Sequence, residues 1–122
     1  ETPVHVCFCT DDTDLRALVV AIKTTMAWAA DPDRFVFHVV TAAELATLFD
    51  TLLHLHIKGA KIEVHSDMEV QAKITAMVPF RTTPTMRQAL ASPFNFAPFY
   101  LHEFFTGSDG VLKVQRVLYL DT

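Results

Sequence analysis

Glycine is scarce in this chain: 3 residues in 122, at Gly59, Gly107 and Gly110. None follows the first apolar segment, which excludes a Gly-rich phosphate loop of the dinucleotide-binding type at that position. Cysteine is scarcer still. Cys7 and Cys9 are the only two, and two positions apart on a strand they share a face, where a disulfide between them would need distorted geometry. They read as buried thiols and identify no redox compartment. No run approaches the roughly 20 apolar residues of a membrane span, and no signal-peptide pattern is visible. The 10 Lys and Arg are scattered against 14 Asp and Glu, for a net charge of −4. A basic nucleic-acid footprint is therefore missing, and nucleic acid is not an expected partner. No internal repeat or low-complexity tract is present.

What remains is a chain with 51% hydrophobic and 20% charged residues, enough to bury a core and of a length for one domain at most. Val4–Cys9 is short, β-branched and aromatic, and runs into the polar cluster Asp11-Asp12-Thr13-Asp14, which predicts a strand feeding a loop. Leu15, Leu18, Val19, Ile22 and Met26 then recur at helical spacing, predicting a helix from about Thr13 to Ala29 with N-cap groups in the polar cluster. Asp31-Pro32-Asp33 ends it. Phe35–Val40 reads as a second strand, apolar on both sides apart from His38, as buried parallel strands are. Leu45, Leu48, Phe49, Leu52 and Leu53 mark a second helix with Gly59 at its exit. Ala60–His65 is a third strand.

This β-α-β-α-β order implies parallel strands with right-handed crossovers. From about Asp67 to Pro93 the periodicity fades into a long connection with room for one short helix. Asn95–Phe105 is dense in aromatics and predicts a helix after Pro93. Gly107-Ser108-Asp109-Gly110 is a turn, and Arg116–Asp121 a final strand.

Two acidic sites stand at predicted carboxyl ends of strands: Asp11 with Asp12, and Asp121. If those strands are neighbours, the acids flank the crevice where open α/β sheets bind ligands. On spacing alone, capping of the first helix is the favoured account of Asp11 and Asp12.

Three blocks carry a resemblance to a known family. Val4–Met26 followed by Phe35–Thr41 looks like the opening of the family 8 glycosyltransferases. Phe94-Asn95-Phe96-Ala97-Pro98-Phe99-Tyr100-Leu101 resembles the aromatic helix before their metal motif. Arg116-Val117-Leu118-Tyr119-Leu120-Asp121-Thr122 is similar to the strand leading into their Asp-x-Asp. The order and spacing of the blocks fit across nearly the whole chain. The resemblance implies an α/β fold of the Rossmann-like GT-A type with a mostly parallel sheet, incomplete here. Residues 1–122 would be the N-terminal, nucleotide-sugar-binding part of a larger domain, ending inside the Asp-x-Asp. Position 1 is Glu rather than Met, so upstream sequence, an anchor included, is left open.

The same resemblance implies a hexosyltransferase that moves a sugar from a UDP-sugar to an acceptor hydroxyl with retention of configuration. The Thr10-Asp11-Asp12-Thr13 loop would hold the uridine, with Asp11 resembling the carboxylate that accepts from the uracil imide and Thr13 falling where a polar residue touches the nucleoside. Asp121 resembles the first acid of the Asp-x-Asp, which helps bind the divalent metal and the ribose, and Thr122 would place its backbone near that ribose. Manganese is the ion implied. The acceptor would be a carbohydrate or another hydroxyl compound, and the compartment implied is the Golgi lumen.

Two departures from the family pattern stand out. Pro98 occupies the place of an Arg that serves the donor's diphosphate or sugar, and a guanidinium fork has no equivalent in Pro. Arg81 and Arg87 are candidate substitutes. The place of the second acid of the Asp-x-Asp would fall after Thr122, outside this sequence, so the 122-residue chain alone is expected to bind nucleotide weakly and turn over little. A non-catalytic, nucleotide-binding descendant of the family is the alternative reading. A flavodoxin-like or other Rossmann-type module is disfavoured by the missing Gly-rich loop.

The remaining candidates read as structural. His54 and His56, two apart on a helix, make a poor zinc pair. His5 and His38 read as core histidines, and His65 and His102 have no partner at a recognisable spacing. Phe94, Phe96, Phe99, Tyr100, Phe104 and Phe105 read as core packing, and Lys23 as a solvated charge.

Overall fold

The computed structural model describes residues 2–77 and 92–122. Arg81 and Arg87, the candidate substitutes for the family Arg, lie outside the described residues.

Strand β1 (Val4–Cys9) is followed by helix α1 (Arg16–Trp28), β2 (Phe35–Val40), α2 (Ala46–His56), β3 (Lys61–His65) and α3 (Met68–Met77). Four 3-10 turns (Pro32–Arg34, Ala43–Leu45, Pro93–Asn95 and Ala97–Tyr100), a single-turn helix α4 (Leu101–Phe104) and a short β4 (Leu118–Tyr119) complete the described elements. The four strands form one parallel sheet in the order β3-β2-β1-β4. The α/β class and the parallel sheet thus agree with the sequence reading.

Strand alternation sorts the core into two layers. Val6 and Phe8 of β1, Phe37 and Val39 of β2 and Ile62 of β3 join Leu18 and Ile22 of α1 and Phe49 and Leu53 of α2. Cys7 and Val40 point the other way, into a second cluster with Val70 and Ile74 of α3 and with Phe94, Ala97, Phe104 and Phe105. Helices α1 and α2 therefore cover one face, while α3 and the aromatic turns cover the other. The chain moves outward from β1 to β2 to β3, then returns across the opposite face to place β4 on β1's free side. That reversal makes the β1–β4 gap the switch point of the sheet.

Three elements differ locally from expectation. The first helix begins at Arg16, and its N-cap is Leu15, which has no side-chain cap. The aromatic segment is not one helix: Pro98 occupies an early position of the Ala97–Tyr100 3-10 turn, where a missing N–H does no harm, and α-helix starts only at Leu101. Here Pro98 forces the late start that its ring chemistry demands. Phe99 is an exception to the core assignment, being 77% exposed. The last strand is shorter than Arg116–Asp121, although its ladder continues through Leu120, whose N–H donates to the Cys7 carbonyl at 3.0 Å. Lys73 of α3 and Glu103 of α4 form an ion pair at 2.6 Å that ties the covering layer together.

Leu53 is fully buried and Leu48, on the same helix, is 46% exposed. Leu53→Ala should cost about 2–5 kcal/mol through lost burial and a residual cavity. Leu48→Ala should stay within about 1 kcal/mol. Urea unfolding of the two variants checks the contrast, and equal losses would show that the α2 layer is packed differently.

Candidate functional site at the carboxyl ends of the sheet

The loop after β1 is built from its own short side chains. Thr10 N–H donates to the Val40 carbonyl at 3.0 Å, extending the β1–β2 ladder. Thr10 Oγ1 then accepts from Asp12 N–H at 3.1 Å, Asp12 Oδ1 from Asp14 N–H at 2.9 Å, and Asp14 Oδ1 from Arg16 N–H at 3.2 Å. These are successive side-chain-to-backbone turns of the kind Thr and Asp favour. Asp14 also pairs with the Arg16 guanidinium, which holds its carboxyl down at about 2. So Asp12 and Asp14 are committed to loop geometry. Asp11 is different: half-buried, its carboxylate accepts no hydrogen bond among the described residues. Thr13 is exposed.

Asp121 follows β4 directly. In the parallel register Val6 pairs with Leu118 and Cys7 with Tyr119, so continuation sets Asp121 level with Cys9, two residues before Asp11. The two acidic sites predicted from sequence therefore stand at neighbouring carboxyl ends, across the switch point. Asp121 and Thr122 are exposed. Burial, with nearby Cys9 and Asp121, pushes the Tyr119 hydroxyl up to about 12, so it is a neutral donor at physiological pH. Cys7 is buried and Cys9 half-buried, both as free thiols. The Cys7 contact and burial push the Cys9 thiol well above its usual range, which leaves it unreactive.

The acids of the switch point do not converge as a ready-made cation cage. Among the described residues, the one group of three or more potential ligands whose donor atoms lie within 4.8 Å of each other is His38, Glu63 and His65. A concavity of about 770 Å³ opens at the opposite, amino ends of the strands, beside Val4, His5, Arg34 and Arg116. A second, of about 530 Å³, lies on the helical layer by Thr13, Leu15, Val19 and Leu52. Neither is lined by Asp11, Asp12 or Asp121.

Sequence reading missed the imidazole row. His5, His38 and His65 lie on one sheet face, each offset by two residues from the last: His5 is level with Val36, His38 with Glu63, and Val40 with His65. His5 Nδ1 meets His38 Nε2 at 2.8 Å, and His38 Nδ1 meets His65 Nε2 at 2.8 Å. Glu63 Oε2 lies 3.3 Å from His38 Nδ1 and 3.7 Å from His65 Nε2. The Phe105 ring packs edge-on against both His38 and His65, with centroids 5.0 and 4.8 Å away. His38 is 1% exposed; burial, reinforced by His65 and His5, pushes its imidazole down to about 4. Burial lowers His65 too, against the opposing pull of Glu63. Both rings are thus held neutral. His54, by contrast, is exposed and bonds the Asp50 carbonyl at 2.8 Å, a local contact in keeping with the sequence reading.

No protein-family profile matches the chain, and no curated protein or solved structure is significantly similar to it.

His38 gives the fold a defined acid sensitivity. Its imidazole takes up a proton near pH 6.5 when unfolded but only near pH 4 when folded, so the unfolded state binds more protons between those values. Stability is full above about pH 6.5 and falls as pH drops toward 4. Between pH 7 and pH 5 the loss should be on the order of 1–2 kcal/mol. Unfolding free energies at the two pH values check this, and His38→Phe should flatten the dependence.

Proposed function

We propose that the chain forms the donor-nucleotide side of a retaining hexosyltransferase that uses a UDP-sugar, in the manner of the family 8 glycosyltransferases. The observation that carries the proposal is the strand order β3-β2-β1-β4, which brings the Asp11 loop and Asp121 to adjacent carboxyl ends at a switch point. The sequence left that adjacency conditional on the first and last strands being neighbours, and β1 and β4 are paired. Asp11, whose carboxylate accepts no hydrogen bond among the described residues, is available to accept from a uracil N–H. Thr10, Asp12 and Thr13 shape the loop around it, and Thr122 continues the rim.

A cation would offset the repulsion a diphosphate meets beside Asp11, Asp12 and Asp121, because like charges at contact distance repel. Carboxylate oxygens suit manganese. Ions of this kind are held by one or two carboxylates together with substrate phosphates rather than by a full protein cage. The donor chemistry at Asp121 fits that pattern. The ion would offset the charge that builds on the departing diphosphate as the anomeric bond breaks. The chain's own residues bind and orient: Asp11 the base, Asp121 the metal and ribose, Tyr119 as a neutral neighbour to that acid. The acceptor hydroxyl and a Golgi setting belong to the same proposal by family likeness; no described helix is long and apolar enough to cross a membrane.

Pro98 favours a second reading, a nucleotide-binding relative without transfer activity. In its 3-10 turn it offers neither a charge nor an N–H to the donor.

Calorimetric titration with UDP tests both readings. Affinity should rise with Mn²⁺, and fall at least about 10-fold in Asp11→Asn and Asp121→Asn, the second variant also losing the metal dependence. UDP affinity indifferent to Mn²⁺ and to both substitutions would sink the donor-site reading. Metal-dependent UDP binding with no hydrolysis or transfer of UDP-hexoses would favour the non-catalytic relative.

A further inference from the structure

We propose that His38, Glu63 and His65 form a zinc site, separate from the switch point and independent of the glycosyl-transfer reading. The three donor atoms, His38 Nδ1, His65 Nε2 and Glu63 Oε2, are separated by 2.8, 3.3 and 3.7 Å. Ligands held at about 2.0–2.1 Å around a tetrahedral ion lie roughly 3.3 Å apart, so these separations bracket the required value. Loading the site asks only that the His38–His65 contact open by about half an ångström. Two imidazole nitrogens and one carboxylate oxygen are a zinc donor set, with the fourth position left for water. Manganese and magnesium prefer all-oxygen surroundings, so this site and the Asp121 rim select different ions.

Four further features fit. Burial keeps His38 neutral, so its lone pair is available to a metal. With Nδ1 on the ion, the proton of His38 sits on Nε2, 2.8 Å from His5 Nδ1; His5 is then the outer partner that sets tautomer and ring angle, as metal-bound imidazoles usually require. Phe105, edge-on to both rings, limits their rotation. Glu63 is 60% exposed, which gives an ion a route from solvent. The ladder without metal is held together by shared protons: His65 Nε2–H can donate to His38 Nδ1. On loading that proton shifts to His65 Nδ1 and the cation takes its place.

The test is zinc titration of the metal-stripped chain against a chromophoric chelator, without nucleotide. One Zn²⁺ per chain is expected, with affinity reduced at least about 100-fold in His65→Ala and about 10-fold or more in Glu63→Gln. Glu63 is largely exposed, so Glu63→Gln should retain the unfolding midpoint of the stripped wild type, separating ligand loss from misfolding. Co²⁺ in the same site should give the intense visible bands of a tetrahedral ion. The proposal is overturned by the absence of stoichiometric zinc, by equal affinity in both variants and wild type, or by zinc that leaves with His54→Ala/His56→Ala instead. Because nucleotide is not involved, failure here would leave the donor-site reading untouched, and failure of UDP binding would leave the zinc site untouched.

Discussion

The structure depends on β1 being paired on both sides. Val6, Cys7 and Phe8 are fully buried, with β2 along one edge and β4 along the other. A parallel strand in that position needs cover on both faces, because neither edge nor face meets water. Right-handed crossovers supply α1 and α2 to one face while the chain runs outward to β3. Only a crossing of the opposite face can then bring β4 to the vacant edge. The switch point, the placement of Asp121 near the Asp11 loop, and the enclosure of the histidine face beneath the aromatic turns all follow from that one constraint.

Much of this was legible in the sequence because it was written in periodicity. The β-branched runs at Val4–Cys9 and Phe35–Val40 match their strands to the residue, and the stripe from Leu15 to Met26 packs as expected, with Leu18 and Ile22 at its centre. Boundaries were less legible. Asp12 and Asp14 have the chemistry of helix caps but spend it on turns one step earlier, so α1 starts later than the polar cluster suggests. The helix Met68–Met77 fits the room left for a short helix, yet its apolar stripe is thin, reaching the core through Val70 and Ile74 alone.

The imidazole row was illegible for a different reason. His5, His38 and His65 are 33 and 27 residues apart, and no local spacing links them. Their meeting depends on the stagger between parallel strands, two residues per step, which strands joined by crossovers rather than by tight turns leave to tertiary packing. A partial signal did exist. His38 interrupts an otherwise apolar strand, and Glu63 and His65 alternate on the next one, so each polar residue falls on the same parity as the other if β2 and β3 pair. The acids at the switch point could be anticipated because each follows an apolar strand run. Side chains that converge only through register announce nothing.

The two polar features of the sheet differ in what they cost the fold. Asp11, Asp12 and Asp121 sit at the rim, where water solvates them and folding pays little for their presence. His38 and the partly buried His65 are held neutral beneath Phe105, and that neutrality is destabilising once the solution is acidic enough to protonate an unfolded chain. Apolar residues at positions 38 and 65 would fill the same space without titrating, as Val40 does on the same face. A sheet face that needed only packing would be served by such residues. The histidines instead carry directed nitrogens in fixed geometry, with a carboxylate within reach and a third imidazole behind. Chemistry, rather than packing, is the economical account of why that face is polar.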